Sequence, residues 1–463
     1  MLLTALLLTA IACSGEVDGA NEDPSNRTIS AFTGIHSGFV PPTLKQGAGG
    51  AEKPMTSVEN DARYAVMQSI GIGYRQYNLW WSSFEKSGLT SSATPINCPV
   101  GYELIPKDET ERRAKGYHRY RCVSRGQLSY FDRMLSRDAA AGFQSGVVLW
   151  SSPPVYRHPD CEGFAWANGN MKEGCVPRDD AMDDFEDYVN IVADRYDGGD
   201  KGKVQHLIIW NENASDGWFD YSPIAPKGDT SAANVKRRID KYAQMMRRAH
   251  TAISRHLSGV MMYASTDMLW DANIHHGHMG SGALLEGLWQ RLGTDISWGV
   301  AAHPYGDPTQ PAPKGQVTFY NLEEMVHFQQ QQLRARGITN TERLPWTTLI
   351  ASEQGWTRVV GIQTQARNIC AAHAKVMSMP NVVAVSHNHF HSARADNDSS
   401  STYGLLPYAV HSDLSNMLDY PTGKAYAATG ASFGKDAKNY CCTEFGYGCP
   451  APVVVDPDAG KVI

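Results

Sequence analysis

The sequence predicts a (β/α)8 barrel, in which eight parallel strands alternate with helices and long disulfide-bearing loops cover the catalytic face. Eight short apolar stretches are mostly separated by amphipathic helical patterns, and this alternation is typical of a parallel sheet. The apolar stretches show little polar alternation, which indicates burial on both faces of the sheet. A doubly wound nucleotide-binding sheet is the alternative, but no G-x-G-x-x-G motif follows any of the strands.

The predicted elements follow one another along one barrel, which we expect to span residues 28–430. The strands are 29–36, 73–81, 143–150, 204–212, 258–266, 296–305, 347–355 and 382–390. Helical spacing of apolar residues is clearest at 57–70, 181–196, 235–257 and 364–379. Long stretches follow strands at 82–126, 151–180 and 267–293. In a barrel of this class they would crowd the end that carries the active site.

Both ends of the chain differ from this pattern. Residues 1–12 form a short apolar run that ends in an A-x-A cleavage pattern and predicts a signal peptide. Cys13 follows directly and resembles the lipidated cysteine of a bacterial lipoprotein. We therefore expect an exported protein, extracellular or periplasmic, with a polar linker at 13–27 and an outer-membrane lipid anchor on Cys13 as an open alternative. Residues 431–463 are expected to form a cysteine-containing extension.

The eight remaining cysteines suggest disulfides, because an exported protein meets an oxidising compartment. Local closure favours Cys98–Cys122 and Cys161–Cys175, each of which would staple one loop. Cys370 is expected to pair with one of the three C-terminal cysteines, which are Cys441, Cys442 and Cys449. A zinc site is the competing interpretation, and no C-x2-C pair supports it.

Composition excludes some classes of partner. The formal net charge of −6 over 463 residues favours neither nucleic acid nor an anionic membrane surface. The chain has 21 Tyr and 11 Trp, and aromatic faces stack on sugar rings as readily as they fill cores. We expect a monomer with a carbohydrate substrate, and a membrane contact only through lipid on Cys13.

Two carboxylates end predicted strands that would face each other across the barrel mouth. Glu212 ends the fourth strand directly after Asn211, and Glu353 ends the seventh. Such a pair can flank one glycosidic bond, where one acid protonates the leaving oxygen and one carboxylate attacks the anomeric carbon. The pattern predicts a retaining glycosidase with a two-step mechanism.

Three motifs resemble those of clan A of the retaining glycoside hydrolases. They are W-N-E at 210–212, A-H-P-Y at 302–305 and S-E-Q-G at 352–355. Over roughly residues 200–407 the sequence is also similar to an uncharacterised bacterial family that itself resembles this clan. The resemblance implies hydrolysis of an oligo- or polysaccharide without a cofactor or a metal.

The resemblance also implies roles for individual residues. Glu212 would be the acid/base, Glu353 the nucleophile and Asn211 an amide that contacts substrate. His303 and Tyr305 would orient the nucleophile or touch the sugar. Arg75, on the second strand, would be the cation that keeps Glu353 ionised.

The eighth strand departs from the clan, because it ends on histidines where a Trp is common. Residues two apart on a strand share a face, so we expect His387 and His389 to line the pocket of the two glutamates. Packed or solvated histidines and a metal site remain open alternatives. Trp218 and Trp356, which follow strands, are candidate platforms for sugar stacking.

Three other functions remain possible from the sequence. A transglycosylase would use the same residues, with a sugar hydroxyl in place of water. A non-catalytic carbohydrate-binding barrel would not need both glutamates. A metal-dependent hydrolase would use the histidines.

Overall fold

The structure, a computed structural model, describes most of the chain. The described residues are 33–36, 44–46, 52–54, 64–65, 67–68, 72–85, 91–163, 174–256, 259–273, 277–342, 344–356, 360–388, 420–428 and 440–447. The strands are β1 (Thr33–His36), β2 (Leu44–Gln46), β3 (Glu52–Pro54), β4 (Tyr74–Trp80), β5 (Tyr102–Ile105), β6 (Arg121–Ser124), β7 (Gln144–Trp150), β8 (His206–Ile209), β9 (Met261–Thr266), β10 (Gly299–Ala302), β11 (Leu349–Gln354) and β12 (Val382–Asn388).

Eight parallel strands close into a barrel in the order β1, β4, β7, β8, β9, β10, β11 and β12, with β12 paired to β1. Each barrel strand overlaps one of the eight predicted stretches, so the predicted fold class is confirmed. The two remaining pairs, β2–β3 and β5–β6, are antiparallel hairpins in the connections. The strand predicted at 204–212 ends earlier, at Ile209, so Glu212 lies beyond the regular ladder.

Helices return the chain between the strands. They are α1 (Trp81–Phe84), α2 (Glu109–Ala114), α3 (Arg125–Ala141), α4 (Met182–Arg195), α5 (Ala232–His256), α6 (Ser281–Leu292), α7 (Glu323–Arg334), α8 (Ile362–Met377), α9 (Pro421–Ala428) and α10 (Tyr440–Phe445). The apolar residues at helical spacing face the barrel, as in α4, where Phe185, Val189 and Val192 are fully buried. Ser124 begins α3 by accepting from the Gln127 backbone N–H, and Gly142 ends it in the left-handed region.

Aromatic side chains fill the lower end of the barrel, where the strands begin. The His206 ring lies 5.6 Å from the rings of both Tyr74 and Tyr263, and it is hydrogen-bonded to the Tyr263 hydroxyl. Gly146 and Gly299 leave the space for these rings. A Cβ at Gly146 would lie 1.9 Å from Tyr74 Oη, and a Cβ at Gly299 would lie 2.9 Å from the Tyr263 ring. The lower barrel is therefore a packed plug.

Disulfides hold the long connections and the C-terminal helix. Cys98–Cys122 and Cys161–Cys175 are bonded, with Cα separations of 5.4 Å and 5.9 Å. Both predicted pairs are confirmed. Cys370 on α8 is bonded to Cys441 on α10, which is one of its three expected partners. Cys442 is also disulfide-bonded.

One buried cation fastens the first long connection to the barrel. Arg121 on β6 is 1% exposed and pairs with Glu85, Asp184 and Asp187 at 2.6 Å, 3.1 Å and 2.9 Å. Asp184 and Asp187 lie on α4, so the cluster joins the β5–β6 hairpin to a barrel helix. A buried charge is tolerated only when it is paired, and here one guanidinium serves three carboxylates.

The predicted signal peptide, Cys13 and the linker at 13–27 lie outside the described residues. Of the tail predicted at 431–463, the structure describes residues 440–447. None of the helices in the described ranges is both long and apolar enough to cross a lipid bilayer.

Candidate active site

The backbone turns sharply where β8 ends, and this turn presents Glu212. Trp210 and Glu212 have φ angles of 65° and 43°, in the left-handed region that non-glycine residues rarely adopt. Such conformations cost about 1–3 kcal/mol each and persist where the surroundings impose them. Here Trp210 Nε1 donates to Trp218 O at 2.7 Å, and the Glu212 backbone N–H donates to Ser265 Oγ at 3.1 Å. Strain concentrated at one strand end favours a functional site there.

His303 joins the two glutamates. It follows β10 directly and is 2% exposed. Its Nδ1 lies 2.8 Å from Glu212 Oε1 and 3.7 Å from Glu353 Oε2. The two oxygens are therefore at most about 6.5 Å apart, the sum of these distances. This bound is compatible with the separation of about 5–5.5 Å between the carboxyl groups of retaining glycosidases.

Tyr305 holds the second glutamate from the same loop. Its hydroxyl donates to Glu353 Oε1 at 2.5 Å. The Glu212 and Glu353 side chains are 20% and 22% exposed, so both carboxylates remain within reach of a ligand in the barrel mouth. The structure therefore brings together Glu212, Glu353, His303 and Tyr305.

The protonation of this group is set by burial and by neighbouring charge. Burial is the largest influence on Glu212 and raises its pKa, the bond from His303 lowers it, and the charges of Asp267 and Glu353 raise it further. The pKa of Glu212 lies above its ordinary value as a result. Burial lowers the pKa of His303, but Glu353, Glu212 and Asp267 outweigh burial and raise the His303 pKa to about 9. At neutral pH His303 is a cation between two acids.

Asn211 and a row of tryptophans lie at the same end of the barrel. Asn211 is buried, and within the described part of the chain its side-chain amide has no hydrogen-bond partner. Trp80 ends β4 and lies 6.3 Å from Trp150, which ends β7. Trp218 is half-buried and lies 5.5 Å from Trp150. Trp150 is fully buried, so Trp80 and Trp218 are the members of the row with exposed ring surface.

Arg75 lies elsewhere, so the role implied for it is wrong. Residues of one strand alternate between faces, and Tyr74 points into the barrel. Arg75 therefore points outward, where it is 1% exposed and paired with Asp138 of α3 at 2.9 Å. Its guanidinium also lies over the rings of Tyr64 and Tyr77, at 5.0 Å and 4.9 Å. It is a structural cation beneath α3.

His387 also lies outside the pocket, which corrects its predicted placement. It pairs in register with Gln354, the residue after Glu353, and its Nδ1 accepts a hydrogen bond from Gln354 Nε2 at 3.2 Å. It also pairs with Ile35 of β1, which in turn pairs with Arg75 of β4; residues paired across neighbouring strands share a face, so His387 lies on the outward face of Arg75. It is fully buried, and its charge acts on His373 of α8. His389 lies outside the described residues.

Trp356 is part of this outer packing as well. It is 6% exposed, and its indole N–H donates to Gly306 O at 2.5 Å. Its ring lies 6.0 Å from Phe319 and 6.3 Å from His387. The prediction that Trp356 is a stacking platform is therefore wrong.

One further carboxylate was missed by sequence reasoning. Asp267 comes directly after β9, His303 comes directly after β10, and Glu212 comes shortly after β8. The charge of Asp267 acts on both Glu212 and His303. Its Oδ2 accepts from His278 Nε2. The signal was present in the sequence, because Asp267 is a polar residue at the carboxyl end of a barrel strand.

Among the described residues, one group has donor atoms close enough to hold a metal, and it comprises Cys161, Cys175 and Asp220. The two sulfurs are joined in a disulfide, so they are not thiolate ligands. The donor set of this group therefore does not fit a metal.

Solved glycoside hydrolases share the fold at low sequence identity. The β-glucosidase of Pyrococcus furiosus matches with a TM-score of 0.51 and 10% identity, over 90% of this chain and 98% of that chain. Endoglucanase Cel5A of Thermotoga maritima matches with a TM-score of 0.45 and 11% identity, over 86% and 99%. The GH53 catalytic domain of Ignisphaera aggregans matches with a TM-score of 0.47 and 11% identity, over 88% and 98%. At these identities the likeness concerns the fold alone.

No curated protein matches the sequence significantly. A family model described as a family of unknown function, DUF5722, matches residues 122–420, which include β7 to β12 and the residues Asn211, Glu212, Asp267, His303, Tyr305 and Glu353. The chain therefore belongs to the family of unknown function DUF5722.

Proposed function

We propose that the protein is a retaining glycoside hydrolase that acts on an oligo- or polysaccharide. The observation that carries the proposal is the pair of partly exposed carboxylates, Glu212 and Glu353, which share His303 Nδ1 at the mouth of the barrel. The glycosidase fold of the structural neighbours supports it, as do the half-buried rings of Trp80 and Trp218 at the ends of the aromatic row. Sugar rings stack on such faces.

Glu353 is the nucleophile of the first step. The Tyr305 hydroxyl fixes one of its oxygens, which leaves the other directed by His303. A Glu353 oxygen attacks the anomeric carbon, and the bond from that carbon to the leaving oxygen breaks. Glu212 gives its proton to the leaving oxygen, and its raised pKa suits it to be the acid.

The second step reverses these roles. Glu212, now ionised, takes a proton from water while the water oxygen attacks the anomeric carbon. The bond to Glu353 breaks and the sugar leaves with its original anomeric configuration. His303 remains hydrogen-bonded to Glu212 in both steps, and the Asn211 amide is available for a sugar hydroxyl.

The test is a screen of the purified protein on a broad panel of oligo- and polysaccharides, repeated with Glu353→Gln and Glu212→Gln. Each change keeps the side-chain shape and removes the carboxylate, so we expect activity to fall by about 10²–10⁴-fold or more. Glu286→Gln, an exposed residue of α6, is the matched control and should keep full activity. Product configuration, followed by NMR at the anomeric proton, should show retention.

Other outcomes would contradict parts of the proposal. Full activity of Glu353→Gln would remove the nucleophile role, and inverted product would remove the two-step mechanism. Sugar binding without turnover would indicate a carbohydrate-binding barrel. Products longer than the substrate would indicate transfer to a sugar hydroxyl in place of water.

We also propose that the protein is exported, with Cys13 as a candidate lipid site. Three disulfides within the described residues support an oxidising compartment. Cell fractionation with mass measurement of the N-terminal peptide tests this. Recovery of reduced, unprocessed protein from the cytoplasm would contradict it.

A further inference from the structure

Asp267 is a third carboxylate at the barrel mouth, and the proposed reaction gives it no step. Its strand, β9, lies between β8 and β10. The register pairs Ile209 with Ala264 and Thr266 with Ala302. Asp267 is one residue beyond the second pair, level with His303. Asp267 lies three residues after Ala264 on β9, and Glu212 lies three residues after Ile209, the residue paired with Ala264 on β8.

The Asp267 side chain is fixed on both oxygens. Oδ1 accepts from the Leu269 backbone N–H at 2.8 Å and from Ser281 Oγ at 3.3 Å, and Oδ2 accepts from His278 Nε2. The Gly280 backbone N–H donates to His278 Nδ1 at 3.0 Å, so the His278 proton is on Nε2 and points at Asp267. The Asp267 side chain is 12% exposed.

This arrangement suits an electrostatic role better than a substrate contact. With both oxygens engaged by protein donors, Asp267 has little capacity left for a sugar hydroxyl. A nearly buried carboxylate is costly unless a cation is close. The charged groups that face His303 are Glu212 from β8, Asp267 from β9 and Glu353 from β11, and His303 is the cation among them.

We propose that Asp267 is a positioning residue whose fixed charge holds His303 as an imidazolium between Glu212 and Glu353. An imidazolium donates to Glu212 whether that acid is protonated or ionised, so it keeps the pair aligned through both steps. The effect of Asp267 on the pKa values of His303 and Glu212 has the direction that this role requires. The alignment of the two glutamates through both steps rests on the proposed function. The protonation of His303 does not depend on it.

The experiment follows the His303 ring by NMR and needs no substrate. The 16 histidines are labelled at Cε1, and His303 is assigned by the signal that disappears in His303→Gln. In the wild type we expect a titration midpoint near pH 9. In Asp267→Asn, we expect the midpoint to fall by roughly one unit, since one of the opposing charges is lost. Asp271→Asn, an exposed carboxylate of the same loop, should leave it unchanged.

An unchanged His303 midpoint in folded Asp267→Asn would overturn the proposal. If that variant does not fold, Asp267→Ser decides by the same criterion, because it removes the charge and keeps an acceptor for His278. Once a substrate is known, the alkaline limb of kcat should shift to lower pH in the same variant. A shifted midpoint in a protein that hydrolyses no glycoside would support this inference and contradict the proposed function, so the two failures are distinguishable.

Discussion

At the scale of single residues, His303 is the most consequential group of the site, because its charge is coupled to folding. Its environment raises its pKa to about 9, whereas an unfolded histidine titrates near about 6.5. The folded state therefore keeps the proton over a pH range in which the unfolded state loses it. The stabilisation is fully present below pH 6.5 and is lost as the pH rises through about 9.

We predict that the free energy of unfolding of the wild type falls between about pH 6.5 and 9 relative to His303→Gln, by on the order of 1–3 kcal/mol. Glu212, whose pKa is also raised, contributes at lower pH with the same sign. Urea unfolding at several pH values measures the difference. His327→Gln, exposed on α7, is the control and should follow the wild type. A wild type whose stability relative to His303→Gln rises over this range would contradict the sign.

Only some of the site residues could be placed correctly from the sequence of the strands. Glu212 and Glu353 were found because polar residues at the ends of apolar strands are conspicuous, whereas His303 and Tyr305 were named through the resemblance of A-H-P-Y to clan A. Arg75 and His387 were misplaced because side chains alternate across a strand, and sequence does not say which alternate set faces inward. Neighbouring residues of a regular strand point alternately into the pocket and toward the helices, and Arg75 and His387 share the face that points toward the helices.

At the scale of elements, the cluster around Arg121 is the principal link between the first long connection and α4. Its three carboxylates have other donors: Trp81 Nε1 for Glu85, Ser91 Oγ for Asp184, and the backbone N–H groups of His118 and Arg119 for Asp187. These neutral donors orient the carboxylates but do not balance their charge. The guanidinium of Arg121 is therefore essential to the link.

We predict that Arg121→Met destabilises the protein by about 3–5 kcal/mol, because it leaves buried carboxylates without their cation. Arg113→Met, on exposed α2, removes an equal charge from a surface pair and should change stability by less than about 1 kcal/mol. Chemical denaturation of the oxidised proteins compares the two. Equal effects would show that the Arg121 cluster does not hold the hairpin.

The elements were predictable where periodicity was strong. The predicted helices at 181–196 and 235–257 correspond to α4 and α5 within three residues at each end. The β5–β6 hairpin was not predicted, because each of its strands has only four residues. The Arg121 cluster could not be predicted, since its partners lie far apart in the sequence and meet only through the fold.

At the scale of the whole molecule, the packed plug fixes how the barrel closes. We predict that Gly146→Ala destabilises the protein by about 1–3 kcal/mol or more, because a Cβ there would lie 1.9 Å from Tyr74 Oη in a core without spare room. Gly126→Ala in α3, whose Cβ would have its nearest neighbour at 3.8 Å, should instead stabilise by about 0.5–1 kcal/mol. Thermal unfolding of both variants measures the contrast. An unchanged stability of Gly146→Ala would mean that the side chains of the plug can move apart to make room for the added Cβ.

The plug also makes the barrel a well with a single mouth. Among the described side chains, Tyr74, His206 and Tyr263 pack together at the lower end, which closes the axis there. In the proposed reaction, the sugar chain, the attacking water and both products must therefore share one opening. The first product has to leave through that opening before water can reach the intermediate. The shape of the barrel therefore sets the order in which product leaves and water enters.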